Sequence, residues 1–360
     1  MAADPDSAET AETAERDPVG VDLDRLTPYL DGAVGLAGPL RASLITGGRS
    51  NLTYRLTDGR SDWVLRRPPV GDVLPTAHDM AREYRVIEAL HGSAVPVPEP
   101  VVLCRDQDVL GAGFYVMERV DGPVLRDAAD AEGLPPDTAA RYARSLVEVL
   151  ATLHSTDPGL LAGFGRPEGF VARQVSRWAR QWSLSATREL PGFDELVRRL
   201  ERAVPPPQRA SIVHGDYRLD NVIFAPARTD GAPGPGGIAA VIDWEMSTLG
   251  DPLTDLGLML VYWDALTAEV TGTRHAVTAN PGFPGRAALA RAYADASGLD
   301  LDRLDFYVAF GYFKLAVIAE GIHARYLAGQ TVGEGFEKAG PAVPALVESG
   351  LAVLISGDPD

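Results

Sequence analysis

The spacing of apolar positions changes along this chain and divides it into two kinds of structure. Asp22 to Tyr29 starts a helix. Between Arg41 and Leu56, short alternating runs flank Thr46 to Asn51 and read as strand, turn, strand. Trp63 to Arg66 keeps that period and puts Val64 and Arg66 on one face. From Ala77 to Leu90 the period lengthens, with Met80, Tyr84, Ile87 and Leu90 forming a helical stripe. Alternating Val and Pro from Val95 to Pro100 stop that helix, and strand-like runs return at Val101 to Cys104 and Phe114 to Val120. Beyond this the chain reads as mainly helical. Asp137 to His154 carries a stripe through Tyr142, Leu146, Val149, Leu150 and Leu153; Phe193 to Arg202 and residues 286–298, 304–328 and 341–355 follow.

One stretch breaks the helical run. Ile212 and Val213 read as a short buried strand delivering His214, Gly215 and Asp216 onto a turn, and Asn221 follows five residues after Asp216. Val222 to Phe224 and Ile238 to Ile242 read as the two strands of a hairpin, joined by a Pro/Gly-rich loop and presenting Asp243 at the end. Two carboxylates and an amide therefore converge. Phosphoryl transfer needs a carboxylate to orient and deprotonate the attacking hydroxyl, together with hard oxygen ligands for Mg²⁺. Asp216 suits the first role; Asn221 and Asp243 suit the second.

Composition removes several alternatives. The first 313 residues contain no lysine, since only Lys314 and Lys338 occur, so a phosphate loop that requires Lys after its glycines is excluded. The six histidines show no metal-ligand spacing. Cys104 is the one cysteine, which excludes a disulfide within the chain, and its apolar neighbours mark a buried strand thiol. Acidic residues outnumber Lys plus Arg by 50 to 33, for a formal charge of −17, which disfavours a nucleic-acid partner. No apolar run approaches a membrane span and the start is acidic, so no membrane and a cytoplasmic location are expected.

HGD and DWE, at Asp216 and Asp243, stand where a protein kinase has HRD and DFG, with Asn221 at matching spacing. The variant resembles the aminoglycoside phosphotransferase and choline kinase-like family over roughly residues 40–330. The run Val64, Leu65, Arg66 with Pro69 is similar to kinase-like domains fused to acyl-CoA dehydrogenases and to their free-standing bacterial relatives. The resemblance implies a two-lobed α+β protein-kinase-like fold: a disordered acidic tail (1–20), an antiparallel-sheet lobe that binds nucleotide (21–120) and a larger helical lobe for catalysis and acceptor binding (121–360). It implies that Gly47, Gly48, Ser50 and Asn51 cover the phosphates, that Val64 and Met117 line the adenine, and that the backbone of Glu118 and Val120 bonds its edge. Arg66 takes the place of the usual lysine, with Glu83 as its helix partner and Arg67 as the fallback. Asp255 would brace the catalytic loop. On the long helix, Glu320, His323 and Arg325 are acceptor-site candidates. The activity implied is transfer of the γ-phosphoryl group of ATP, with Mg²⁺, to a hydroxyl of a small molecule, hydroxyacyl-CoA-like or aminoglycoside-like. A nucleotide-binding pseudokinase is the alternative, suggested by the missing lysine.

Overall fold

The computed structural model describes residues 17–45, 51–71, 79–226, 237–264, 276–331 and 335–357. The tail to residue 16, the turn residues Gly47, Gly48 and Ser50, and most of the Pro/Gly tract lie outside the described residues. By compactness the chain forms two units, residues 1–81 with 101–119, and residues 82–100 with 120–360.

The first unit is a sheet with a helix on one face. Helix α1 (Leu23–Val34) starts where the Asp22 carboxylate accepts the Arg25 N–H at 3.1 Å, and it ends at Gly35, whose positive φ a glycine tolerates. Strands β1 (Arg41–Leu44), β2 (Leu52–Thr57), β3 (Asp62–Arg67), β4 (Pro100–Cys104) and β5 (Phe114–Glu118) order as β1-β2-β3-β5-β4, and the β1/β2, β2/β3 and β3/β5 pairs are antiparallel. Strand period sends Tyr54, Leu56, Leu65, Phe114 and Val116 to one face, where they pack with Leu26 and Leu30 of α1. Each fully buried leucine there contributes about 2 kcal/mol. Short helix α3 (Gln107–Leu110) bridges β4 and β5.

Helix α2 (Met80–Leu90) buries Met80, Val86, Ile87 and Leu90. Residues 82–100, which the sequence reading puts in the first lobe, cluster with the second unit for a physical reason. Arg82 donates to the carbonyls of Phe164 at 3.0 Å and Ser247 at 2.9 Å while stacking on the Phe164 ring, and Val241 N–H donates to Pro96 O at 2.8 Å.

The second unit continues with α4 (Pro136–Ser155), α5 (Phe170–Ser185), α6 (Phe193–Ala203), β6 (Ser211–Val213), β7 (Val222–Phe224), β8 (Ile238–Val241), β9 (Thr248–Gly250), α7 (Leu253–Tyr262), α8 (Arg286–Ser297), α9 (Leu304–Leu327) and α10 (Ala339–Ser356). Strand β6 pairs with β9 and β7 with β8, both antiparallel. The hairpin read from the sequence is therefore present. Helix α9 is the hub, packed on α7, α10, α5 and α6. Gly257 lets α7 approach it, since a Cβ there would lie 2.3 Å from the Tyr307 carbonyl oxygen. One expectation needs correction: the helical stretch Phe336–Ser356 is long and apolar enough to pass for a membrane span. Its Ala342, Val343, Leu346 and Val347 are buried, and α10 packs along α9, so one face of this apolar helix belongs to the core.

Candidate active site

Strand β6 ends at His214, and the turn that follows is held from below by one carboxylate. Asp255, fully buried on α7, accepts the backbone N–H of His214 at 2.7 Å and of Gly215 at 2.8 Å, and pairs with His154 Nε2 at 3.2 Å. Burial pushes this carboxyl up, but the His154 hydrogen bond and charge, with His214 and the Gly215 N–H, hold it below the usual range. The brace expected of Asp255 is present. Gly215 adopts φ +87, and a Cβ there would meet the Met246 carbonyl oxygen at 2.5 Å, so only glycine fits. The His214 ring closes the loop on itself: Nδ1 accepts the Asp216 N–H at 3.2 Å, which leaves Nε2 to donate to Ile242 O at 3.0 Å.

Asp216 stands at the tip of this turn with its side chain 21% exposed, open enough for a substrate proton to reach it. Three groups reach its carboxylate and a fourth bonds the residue beside it. Tyr262 O–H donates to Oδ1 at 2.9 Å, Asn221 Nδ2 donates to Oδ2 at 3.1 Å, and Arg218 Nε lies 3.3 Å from Oδ2 at ion-pair distance without hydrogen-bond alignment. Lys314 Nζ, arriving from α9, donates to the adjacent Gly215 carbonyl. Burial would push the Asp216 carboxyl up; Arg218, then Lys314, Tyr262 and His214 outweigh it and hold the group below the usual aspartate range. Arg218 is itself fixed by Asp220 at 3.0 Å and by the Tyr262 ring, 4.8 Å from its guanidinium carbon.

Asn221 also donates Nδ2 to the Asp216 backbone carbonyl at 2.8 Å. With its amide nitrogen committed to Asp216, the planar group turns Oδ1 away as a free oxygen donor. Asp243 follows β8 at φ 67, ψ 62, the one non-glycine residue with positive φ among those described. Such a backbone costs about 1–2 kcal/mol for an L-residue and is typical of functional turns. An amide oxygen and a carboxylate are the hard donors Mg²⁺ takes, usually as one or two protein ligands beside phosphate and water, so these residues fit that ion. Among the described residues no cluster of three or more His, Cys, Asp and Glu side chains could hold a metal.

In the first unit, Val64 pairs across the sheet with Met117, and Arg66 with Tyr115, so these four share the face opposite the α1 core. Arg67 points the other way. Its guanidinium bonds the carbonyls of Leu110 at 2.9 Å and Gly20, and its Nε that of Pro68 at 3.1 Å, which gives it a structural role. A cavity of about 1000 Å³ lies beside Arg67, lined also by Arg25, Cys104 and Gly111, and none of residues 214–221 lines it. Asn51 and Glu83 are buried, and Glu118 is exposed at the end of β5.

On α9, Glu320 accepts from Thr187 N–H at 2.8 Å, Thr187 O–H at 2.6 Å and Arg188 Nη2 at 2.8 Å, so its buried carboxylate ties down the chain after α5. The His323 ring packs against Gly340 of α10, and Arg325 is exposed. Sequence reasoning assigned no role to Arg218, Tyr262 or Lys314. The one available signal was Lys314 itself, a lysine inside an apolar helix of a chain that has two.

Residues 41–307 match the profile of the phosphotransferase enzyme family. Acyl-CoA dehydrogenase family member 11 of Gallus gallus is 37% identical over 327 residues, 88% of this chain and 40% of that protein. Family member 10 of Mus musculus is 33% identical over 340 residues, 92% of this chain and 31% of that protein. This chain thus spans two fifths or less of these relatives. A crystal structure of a candidate aminoglycoside phosphotransferase from Ralstonia eutropha superposes with a TM-score of 0.78 at 32% identity, covering 93% of this chain and 98% of that one. The ternary complex of aminoglycoside phosphotransferase APH(4)-Ia with AMP-PNP and hygromycin B gives 0.58 at 16% identity, over 92% and 98% of the two chains, a likeness of fold.

Proposed function

The chain belongs to the phosphotransferase enzyme family, and from that premise we propose that it transfers the γ-phosphoryl group of ATP to a hydroxyl of a small molecule, hydroxyacyl-CoA-like rather than aminoglycoside-like. The observation that carries the reading is the Asp216 carboxylate, kept ionised by Arg218 and Lys314 and oriented by Tyr262 and Asn221. An anionic, fixed carboxylate beside an open face is what a general base for a hydroxyl requires. Asp216 would hold the acceptor oxygen in line and take its proton as the new O–P bond forms and the bond to the ADP oxygen breaks. When bound, Mg²⁺ and nucleotide supply charge neutralisation and the phosphoryl group, and Asn221 and Asp243 would hold the metal.

Arg66 would neutralise phosphate charge, and the turn of Gly47, Gly48, Ser50 and Asn51 would cover the phosphates. Val64 and Met117, side by side on β3 and β5, would take the adenine face, with the backbone of Glu118 and Val120 at its edge. The relatives named acyl-CoA dehydrogenases favour the acyl acceptor.

The test is ATP consumption against a hydroxyacyl-CoA panel and an aminoglycoside panel, repeated with Asp216→Asn. The substitution should lower turnover by about 10²–10⁴-fold and leave nucleotide binding intact. Turnover within a few-fold of wild type would remove Asp216 from the mechanism, and nucleotide binding with no turnover on either panel would support the pseudokinase alternative.

A further inference from the structure

Helix α5 carries Arg173, Arg177 and Arg180 and no acidic residue, in a chain where acids outnumber Lys plus Arg by 50 to 33. Arg173 is committed to the carbonyls of Glu168 and Arg166. Arg177 is exposed; its guanidinium carbon lies 5.9 Å from the Trp178 ring centroid, and no carboxylate pairs with it among the described residues. The same ring lies 5.6 Å from Lys314 Nζ. Lys314 is 7% exposed, and of its three donors only the one to Gly215 O meets a hydrogen-bond acceptor among the described residues. A buried ammonium with two uncommitted donors is costly unless something else takes them.

Burial, with Arg177, holds the Lys314 ammonium below the usual lysine range against Asp216 and Asp255, which favour its charge. Two cations thus approach one aromatic ring; the first is bonded to Gly215, next to Asp216, and the second lacks an acidic neighbour on its own helix. An anion entering between them would relieve their repulsion and satisfy the free N–H groups. Resting on the phosphotransferase reading above but not on its thioester acceptor, we propose that Lys314, Arg177 and Trp178 form a subsite for an anionic group, a carboxylate or a phosphate, that the acceptor carries close to the hydroxyl that Asp216 addresses. Trp178 supplies an apolar wall, and a polycation is rejected because its ammonium groups would face Arg177 and Lys314.

The subsite can be tested without turnover. The full chain, saturated with Mg²⁺ and ADP, is titrated calorimetrically with 3-hydroxybutyrate as the carboxylate, glycerol 3-phosphate as the phosphate and kanamycin as the polycation. At least one anion should bind, and whichever does identifies the group. Arg177→Gln, an exposed substitution that does not threaten folding, should weaken that anion about tenfold. Lys314→Met should weaken it at least as much, and Lys314→Arg should restore part of the loss. Anion affinity unchanged in Arg177→Gln, no anion binding by the wild type, or kanamycin binding more tightly than either anion would each overturn the subsite. Because binding is read with ADP in place, a chain that binds the anion through Arg177 yet transfers no phosphoryl group would keep the subsite and sink the kinase reading. Normal transfer with unaltered anion affinity would do the reverse.

Discussion

Two neighbouring arginines on β3 do unrelated jobs because a strand turns successive side chains to opposite faces. Arg67→Ala leaves the carbonyls of Gly20, Leu110 and Pro68 without their donor and should cost about 3 kcal/mol, read from the urea midpoint. Arg66→Ala should weaken ATP far more than adenosine, and Arg66→Lys should lose part of that affinity, since it keeps charge without the planar fork. Equal losses for ATP and adenosine would move Arg66 from the phosphates to the fold. Asp243 presents the opposite balance. Its left-handed backbone is one that glycine adopts without strain, so Asp243→Gly should raise the thermal midpoint slightly while abolishing Mg²⁺-dependent ATP binding by calorimetry. Asp216, Asn221 and Asp243 are legible in the sequence because a loop and a hairpin place them by short-range spacing. Tyr262 is not, reaching Asp216 from 46 residues away, and the lysine bonded to Gly215 comes from 99 residues away. No local period encodes such an approach.

At the level of elements, the helices that have one wet face are readable from their stripe, and α7 shows why others are not. Nine of its ten residues are buried, so no polar period marks it out, although it carries both Asp255 and Tyr262. Its contact with α9 depends on Gly257; Gly257→Ala should force the two helices apart, cost about 2–3 kcal/mol and lower turnover by displacing Asp255 from the loop. The tie between α9 and the chain after α5 has its own pH signature. Burial pushes the Glu320 carboxyl up, but Arg188 and Thr187 more than reverse this and hold it below the ordinary glutamate value of 4.5. A depressed folded-state value means that the unfolded chain binds more protons. The stabilisation is therefore full above about pH 4.5 and lost as pH falls through the folded value. Glu320→Ala should cost about 3–5 kcal/mol at pH 7, and the gap to wild type should narrow below pH 4.5 in denaturation curves.

At the scale of the whole chain, both parts expected of a kinase-like fold are present in 360 residues, although the dehydrogenase relatives are more than twice as long. The purified chain is accordingly expected to consume ATP with its acceptor in the absence of any added dehydrogenase, measured by ADP release. The formal charge of −17 does not choose an acceptor, because the charges around Asp216 are local and include Arg218 and Lys314; a sum over the chain cannot reveal where the basic residues gather. Cys104 completes the picture in a different way. It is the sole thiol, 1% exposed at the end of β4, with Sγ 3.5 Å from the Asp106 carbonyl oxygen. A thiol reagent can therefore mark the chain only when that corner of the sheet opens, which makes the untouched protein its own clock: the labelling rate under native conditions times the breathing of the first unit. Set beside the global unfolding rate, it tells whether that unit opens on its own or only when everything does.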